Sequence, residues 1–469
     1  MLDKLLKYAP VQMFSALSVF ALIAIQAKYL SVEVYGILAI LMLITEITRS
    51  FSMQWIASSM LRLYPSQTTK VKAEYLSVAI NMLIILFIPA LALIAVGTFY
   101  YELFGANIFI LLTVFLLLKT IYLFFIDIAR LDGRVNLYRN SSLVQSISAV
   151  IITLLFLKSS ATITDAIIAL IVSYLLPAPF LLKNIKFNFK ANKKKYKGLV
   201  QYGSPLLLSG VISILASRAD RVFIADGMSL TELGVYSGIS NILFGVMALM
   251  FMMVAMPLYP ELTKAIGNAG KLKLLHKKYL NILMIVTLPA LLGICFVAEF
   301  LIQLFLTPSY LDYGVELFHI LAVSVFLLNI RMHYIDHGLQ FTLNTKFMPM
   351  ITTAGLVLNV LLLVLMIAPY GLYGAAWAVL LTNLVTILIS LSISIKLGYK
   401  YSVDSNGIKT LFASLVMCTC IYAAKQLVDE LDVLYQLIIL VTLGVGSYTL
   451  MQIALNTLNV RSSLGRLFA

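Results

Sequence analysis

Charge is the scarcest thing in this chain. Only 12% of its 469 residues are Asp, Glu, Lys or Arg, against about 25% in a soluble domain. That shortfall excludes a water-soluble globular protein. Cysteine is almost absent: Cys295, Cys418 and Cys420 all lie in apolar runs, so no disulfide framework is encoded and small buried packing residues are expected. There is no Gly-rich phosphate loop of the Walker type, and no polar stretch long enough to fold as a separate domain, which excludes a built-in ATPase. Strict polar/apolar alternation is missing too, which excludes a β-barrel. The opening Met1-Leu2-Asp3-Lys4 lacks a small-residue cleavage site, so the first apolar segment is expected to remain as a membrane helix.

What is present is oil. The chain is 61% hydrophobic with mean hydropathy +1.00. Apolar runs of about 20 residues recur throughout, each long enough to cross a hydrocarbon core of roughly 30 Å. The expected class is an all-α polytopic membrane protein. Helices are placed at 9–30, 35–61, 73–97, 107–129, 140–157, 163–182, 202–225, 234–257, 279–305, 315–338, 347–368, 371–395, 408–424 and 433–456. With the N-terminus inside, 26 Lys and Arg fall in inside segments and three (Lys28, Lys158, Lys425) in outside loops. This bias is what the positive-inside rule demands, and a missed helix would scramble it. It also accounts for the net charge of +14 without nucleic acid as a partner.

A repeat divides the chain. Tyr8-Ala9-Pro10 and Leu63-Tyr64-Pro65 flank one apolar hairpin; Tyr202-Gly203-Ser204-Pro205 and Leu258-Tyr259-Pro260 flank another, both landmarks displaced by 195. Val34-Tyr35-Gly36 resembles Val235-Tyr236-Ser237-Gly238 at an offset of 201. The expected organisation is a first lobe over 1–190, a second over 191–400, and an added helix pair with a short cytoplasmic tail over 401–469. Six helices per lobe is an even number, so the lobes run parallel, related by a pseudo-two-fold axis along the membrane normal. Pro89, Pro177, Pro179, Pro257 and Pro289 free backbone carbonyls where helices can bend.

Ten charges sit inside predicted helices: Arg49, Lys119, Arg218, Arg221 and Arg331, with Glu46, Asp127, Asp220, Glu299 and Asp336. Each costs about 2.5–3.5 kcal/mol at a helix centre, so such groups face a cavity or a partner. The cations are candidates for holding an anionic group on its way across the membrane. Arg218 and Arg221 are three apart and share a helix face, which suits bidentate grip of a phosphate. Local pairing is the competing reading: Glu46 can meet Arg49, and Asp127 can meet Arg130. Lys119 has no acid within one turn, so substrate or cross-helix contact is expected. Asp220 and Asp336 stay open between pairing and ion coupling. His333 and His337 flank Asp336 at zinc-like spacing without a third ligand, so local pairing or a proton relay is favoured and no metal is expected.

Lys28-Tyr29-Leu30 with Val34-Tyr35-Gly36, then Tyr202-Gly203-Ser204-Pro205, Asp220-Arg221 and Gly234-Val235-Tyr236-Ser237 together resemble the polysaccharide-repeat (O-antigen, Wzx-type) flippases of the multidrug/oligosaccharidyl-lipid/polysaccharide (MOP) exporter superfamily. The resemblance implies a transporter, not an enzyme, in the bacterial inner membrane with both termini cytoplasmic. It implies a substrate of undecaprenyl-pyrophosphate-linked oligosaccharide and alternating access. No cofactor is implied beyond a coupling ion, H+ or Na+, and the partners are membrane lipids, a polysaccharide polymerase and a chain-length regulator. Gln54, Trp55, Asn241, Asn329, Asn359, Trp377 and Asn383 are candidates for sugar contact, by stacking and hydrogen bonding. The alternatives are a peptidoglycan-precursor flippase, a drug or cation antiporter of the same superfamily, and a membrane glycosyltransferase or polymerase. The interior cations disfavour the antiporter, and the lack of a large extramembrane loop disfavours the enzyme.

Overall fold

In the computed structural model, residues 2–65, 67–103, 105–183, 192–306, 310–402 and 404–459 are described. The expected tail beyond 459 lies outside them. Among the described residues all regular structure is helical. The first helix, α1 (Leu2–Tyr29), is followed by α2 (Val32–Arg49), which runs through one π turn (Ser50–Gln54) into α3 (Trp55–Leu63). Then come α4 (Thr69–Tyr100), α5 (Ala106–Leu131), α6 (Val135–Ser159), α7 (Ile163–Leu175), α8 (Ala178–Leu182) and α9 (Lys193–Gly227). They are followed by α10 (Leu230–Lys264), α11 (Ala269–Phe296), α12 (Ala298–Phe305) and α13 (Leu311–Ile330). A second π turn (Arg331–Ile335) leads to α14 (His337–Phe341), and the chain closes with α15 (Phe347–Lys396), α16 (Ser405–Lys425) and α17 (Val433–Ala454).

Twelve helices among the described residues are long and apolar enough to span a bilayer. Two more complete the expected fourteen. The 50-residue α15 is a helical hairpin: Gly371 has φ 55° and ψ −134°, a conformation that favours glycine, and the chain reverses there. The other is α1, whose apolar part is Phe14–Tyr29. The two segments with the weakest apolar signal, 140–157 and 408–424, are both helical, as α6 and α16. Side-chain caps mark several starts. Ser31, Thr162, Asn192, Asn268, Asp404 and Asp432 each accept a backbone N–H from the first turn of the following helix, which satisfies a donor that the helix itself leaves orphaned.

The chain divides into two compact units, Met1–Ser237 and Gly238–Ala469. In the first, α3, α4 and α5 pack around Ile56, Met60, Val78, Phe124 and Ile128, while α6 lies against α1 and α7. In the second, α13 packs on α15, and α16 and α17 pack on each other and on α11 and α12 around Phe300, Met417, Ile421 and Leu440. The Tyr448 hydroxyl donates to the Ile285 carbonyl at 2.7 Å, tying α17 to α11. Large apolar side chains face outward, among them Ile88 and Leu427, 72% and 86% exposed, as a lipid-bathed surface requires. Cys295, Cys418 and Cys420 are free thiols.

The helix ends differ from the proline landmarks. Tyr202-Gly203-Ser204-Pro205 does not open its helix, because α9 already starts at Lys193, and Pro260 lies within α10 while Pro65 falls beyond the end of α3. By helix starts, α2 and α10 lie 198 residues apart. In that register both follow a capping serine, Ser31 and Ser229, and Gly36 corresponds to Gly234. These two glycines, both in the first unit, meet each other's helix starts. A Cβ on Gly36 would stand 1.8 Å from the Leu230 carbonyl oxygen, and one on Gly234 would stand 2.0 Å from the Val32 carbonyl oxygen. No other residue fits either place without moving backbone.

Candidate functional site

The first unit gathers its interior charge around one carboxylate. Glu46 sits one turn before Arg49 on α2. Arg49 Nη2 donates to Glu46 Oε2 at 2.9 Å and Nε to the same oxygen at 3.2 Å. Arg49 Nη2 also reaches Gln54 Oε1 at 3.2 Å. From α5, Lys119 donates to the other Glu46 oxygen, and its ammonium lies 5.2 Å from the Phe115 ring centroid, a favourable cation–π placement. The expectation of cross-helix contact for Lys119 is therefore met by Glu46. One carboxylate serves two cations, so the group keeps a net positive charge. The π turn begins directly after Arg49, as single π turns often do at functional positions. Inside it the Ser50 and Ser52 hydroxyls, and beside it Trp55 Nε1, are buried without hydrogen-bond partners. On α5, Asp127 pairs with Arg130 at 2.8 Å.

On α9, Arg218 is half-buried, and Asp220 and Arg221 are buried. Asp220 is engaged: Oδ2 accepts the Tyr236 hydroxyl at 2.7 Å and Oδ1 the backbone N–H of Arg221 at 2.9 Å. A feature without an obvious sequence signal accompanies them. Ser209, Ser213 and Ser217 repeat every four residues along α9 and none is buried. Ser213 and Ser217 spend their protons on the backbone, at Ser209 O and Ile214 O, which leaves hydroxyl lone pairs facing outward from a membrane helix. Spacing of four among small polar residues was the available signal.

In the second unit, Arg331 opens the second π turn. Its Nε lies 3.8 Å from Asp336 Oδ2, and Asp336 Oδ1 accepts the Ser390 hydroxyl at 2.6 Å. His333 stacks on Phe251 at 5.7 Å. The amide-bearing candidates separate by surroundings. Asn329 donates to the Val325 carbonyl of its own helix at 2.9 Å, and Asn383 donates to Ser324, to the carbonyl at 3.1 Å and the hydroxyl at 3.0 Å. Asn359 is buried with Oδ1 unpartnered. Asn241 is half-buried and Trp377 is exposed. Glu299, at the start of α12, pairs with Lys425 of α16 at 2.9 Å.

Among the described residues, these long apolar helices define a multi-pass membrane fold with charge concentrated at a few interior positions. The family model for polysaccharide biosynthesis proteins matches residues 25–315, and the chain belongs to that family. No curated protein sequence matches it. Among solved structures it is similar to the inward closed conformation of the lipid II flippase MurJ, with TM-score 0.76 and 18% identity over 96% of this chain and 98% of that one. It is also similar to an inward-facing multidrug resistance MATE family transporter of the MOP superfamily, with TM-score 0.62 and 14% identity over 82% of this chain and 94% of that one. A mutant form of the MATE transporter VcmN of Vibrio cholerae aligns with TM-score 0.52 and 15% identity over 84% and 96% of the two chains. At these identities the likeness is one of fold.

Proposed function

We propose that this protein is a flippase that moves an undecaprenyl-pyrophosphate-linked oligosaccharide from the cytoplasmic to the outer leaflet of a bacterial inner membrane, for O-antigen, capsule or exopolysaccharide synthesis. The observation that carries the reading is the Glu46–Arg49–Lys119 group. It holds two cations on one carboxylate within membrane-spanning helices, and in a family of polysaccharide biosynthesis proteins the natural guest for such an excess is a pyrophosphate. The prenyl tail stays in lipid while the charged head needs a polar passage. In this reading Arg49 and Lys119 meet the pyrophosphate first, and Arg218 and Arg221 receive it nearer the outer side. In the first unit the serine face of α9 hydrates the path and Trp55 is a proposed sugar contact; in the second unit Asn241, Asn359 and Trp377 are the proposed contacts. Arg331 is engaged with Asp336, so its release would belong to another stage of the cycle. The lobes are 1–190 and 191–400, and alternating access draws on a proton or sodium gradient. Both termini face the cytoplasm, and the product passes to a polymerase with its chain-length regulator.

A second reading, transport of a peptidoglycan lipid precursor, is favoured by one observation: the similarity to a lipid II flippase spans nearly the full length of both chains. Gene deletion separates the two. Accumulation of repeat-unit lipid on the cytoplasmic face with intact peptidoglycan supports the main reading. Accumulation of peptidoglycan precursor supports the second, and altered drug sensitivity without either lipid refutes both.

A further inference from the structure

Two of the four histidines in the chain lie together in the second unit. His276, in the second turn of α11, is 2% exposed, and His337, the first residue of α14, is 3% exposed. Their ring centroids are 5.5 Å apart. Tyr334 stacks on His276 at 4.4 Å, and Tyr279 and Tyr259 lie 5.5 and 4.9 Å from His337. The centre of this knot is polar. His276 Nε2, His337 Nδ1 and the hydroxyls of Tyr279 and Tyr334 are all buried without a hydrogen-bond partner. Each such atom costs about 1–3 kcal/mol, and phenylalanine or leucine would fill the same space without that cost.

The knot has an entrance. A cavity of about 410 Å³ lies beside it, lined by Lys273, Phe341, Tyr399 and Lys400 among others. Tyr399 belongs to both places, because its hydroxyl is 2.6 Å from His276 Nδ1. The neighbouring acids are already engaged. Asp336 is held by Ser390 and Arg331, and Asp404 by Lys277 and Asn281. His333 is turned onto Phe251, and the Tyr401 hydroxyl donates to the Ile335 carbonyl at 2.5 Å. The groups that face the two imidazoles are therefore phenols, the Phe341 ring and each other.

We propose that His276 and His337 form a proton-binding site, filled from the cavity through the Tyr399 hydroxyl, and that its occupancy controls how tightly α11, α14 and the 397–401 segment pack together. A hydronium in the cavity gives a proton to the Tyr399 oxygen and leaves as water, while the Tyr399 proton passes to His276 Nδ1. The phenol ends unchanged, one N–H bond has formed, and one positive charge rests on the imidazole pair. The unpartnered hydroxyls of Tyr334 and Tyr279 accept from the charged rings. A charge buried among aromatic rings also needs water, so the proton favours whichever conformation admits it, and that conformation favours the proton. The Tyr259 hydroxyl, which donates to Gln340, carries the change to α10. Its use in transport rests on the flippase reading; the binding itself does not.

The test needs no lipid substrate. Full-length protein with ring-labelled histidine in nanodiscs gives four resolvable imidazole signals, and the probe is the proton. Between pH 8 and pH 3 the His276 and His337 signals should shift over a common midpoint, and His337→Gln should move the His276 midpoint. Amide exchange in 269–279 and 331–341, corrected for intrinsic rate, should rise about tenfold over the same range and stay flat in a His276→Gln/His337→Gln variant. Flat His276 and His337 signals in the unmodified protein overturn the proposal, as does an exchange rise that survives the double substitution. Either result leaves the flippase reading standing, and a deletion strain that accumulates no lipid intermediate leaves the proton site standing.

Discussion

The helix that carries Arg49 and the helix that carries Arg331 depart from α-helical geometry at the same kind of place. Arg49 directly precedes the π turn Ser50–Gln54, and Arg331 opens the π turn Arg331–Ile335. The surroundings then diverge. Arg49 shares Glu46 with Lys119, so two cations divide one carboxylate. Arg331 has Asp336 to itself, and Ser390 holds that carboxylate from the other side. The same backbone device thus produces a group with charge to spare in the first unit and, in the second, a neutral pair whose Arg331 Nε stands 3.8 Å from the carboxylate. Chemistry in this protein is set by which neighbour reaches the π turn, not by the turn itself.

If the Arg331 pair is locked, breaking one side should be costly and removing both sides should not. Arg331→Met leaves Asp336 buried without its cation, which costs about 3–5 kcal/mol. Thermal unfolding in detergent should show the loss, and Arg331→Met/Asp336→Leu should recover most of it. A double variant no more stable than the single one would mean that the pair is not a self-contained unit.

Where the two repeats are alike, equal substitutions should have equal effects. Gly36 and Gly234 occupy the same place relative to the Ser31 and Ser229 caps, and each faces the other's helix start. Alanine at either position drives a Cβ into a carbonyl oxygen, which costs about 3 kcal/mol. The two variants should lower the unfolding temperature by similar amounts. A loss at only one of them would show that the reciprocal contact is not shared.

Where the two π turns differ, the transport effect should fall on the first. Lys119→Gln and Arg49→Gln each remove a charge-assisted contact of about 1.5–3 kcal/mol, a loss of about 10- to 100-fold in flipping rate or in complementation. Membrane insertion should be unchanged. The Arg331→Met/Asp336→Leu variant, already neutral as a pair, should keep most of its activity. Equal losses from both sites would make the two π turns equivalent and remove the distinction drawn above.

The sequence reveals these regions unevenly. Helix count follows from apolar run length, even through α15, where Gly371 lies at the edge of the expected gap between 368 and 371. Helix ends do not follow: α9 begins at Lys193, since a lysine-rich stretch reads equally well as a solvated linker or as a helix extension beyond the apolar region. Glu46–Arg49 and Asp127–Arg130 are legible because spacing of three fixes a shared face. Glu46–Lys119 is not, because 73 residues separate them and only the packing of α2 beside α5 joins them. The π turns leave no mark in Ser50-Phe51-Ser52-Met53-Gln54, a stretch that also suits an ordinary helix. His276 escapes notice because its neighbours, Lys271, Lys273, Lys277 and Lys278, make the segment look like an inside loop.

A smaller contrast lies at two loop carboxylates, one in each unit. Asp132 accepts from Tyr64 at 3.3 Å, Lys72 at 3.2 Å and Arg134 at 2.9 Å, while Asp404 accepts from Asn281 at 3.0 Å and the Asn406 N–H at 2.9 Å, with Lys277 at 3.3 Å. Asp404 also caps α16. Burial alone would raise its pKa, but the hydrogen bonds from Asn281, Asn406 and Lys277 outweigh it and hold the carboxyl below its ordinary value. A group depressed in the folded state stabilises above its unfolded value, near pH ~4, and the contribution fades as pH falls through the folded value. Asp404→Ala should therefore cost about 1 kcal/mol at pH 7, with the gap between the two proteins closing as the pH drops below about 4. Unfolding temperatures of both proteins across that range measure it, and a gap that stays constant would place the role of Asp404 in packing and not in its charge.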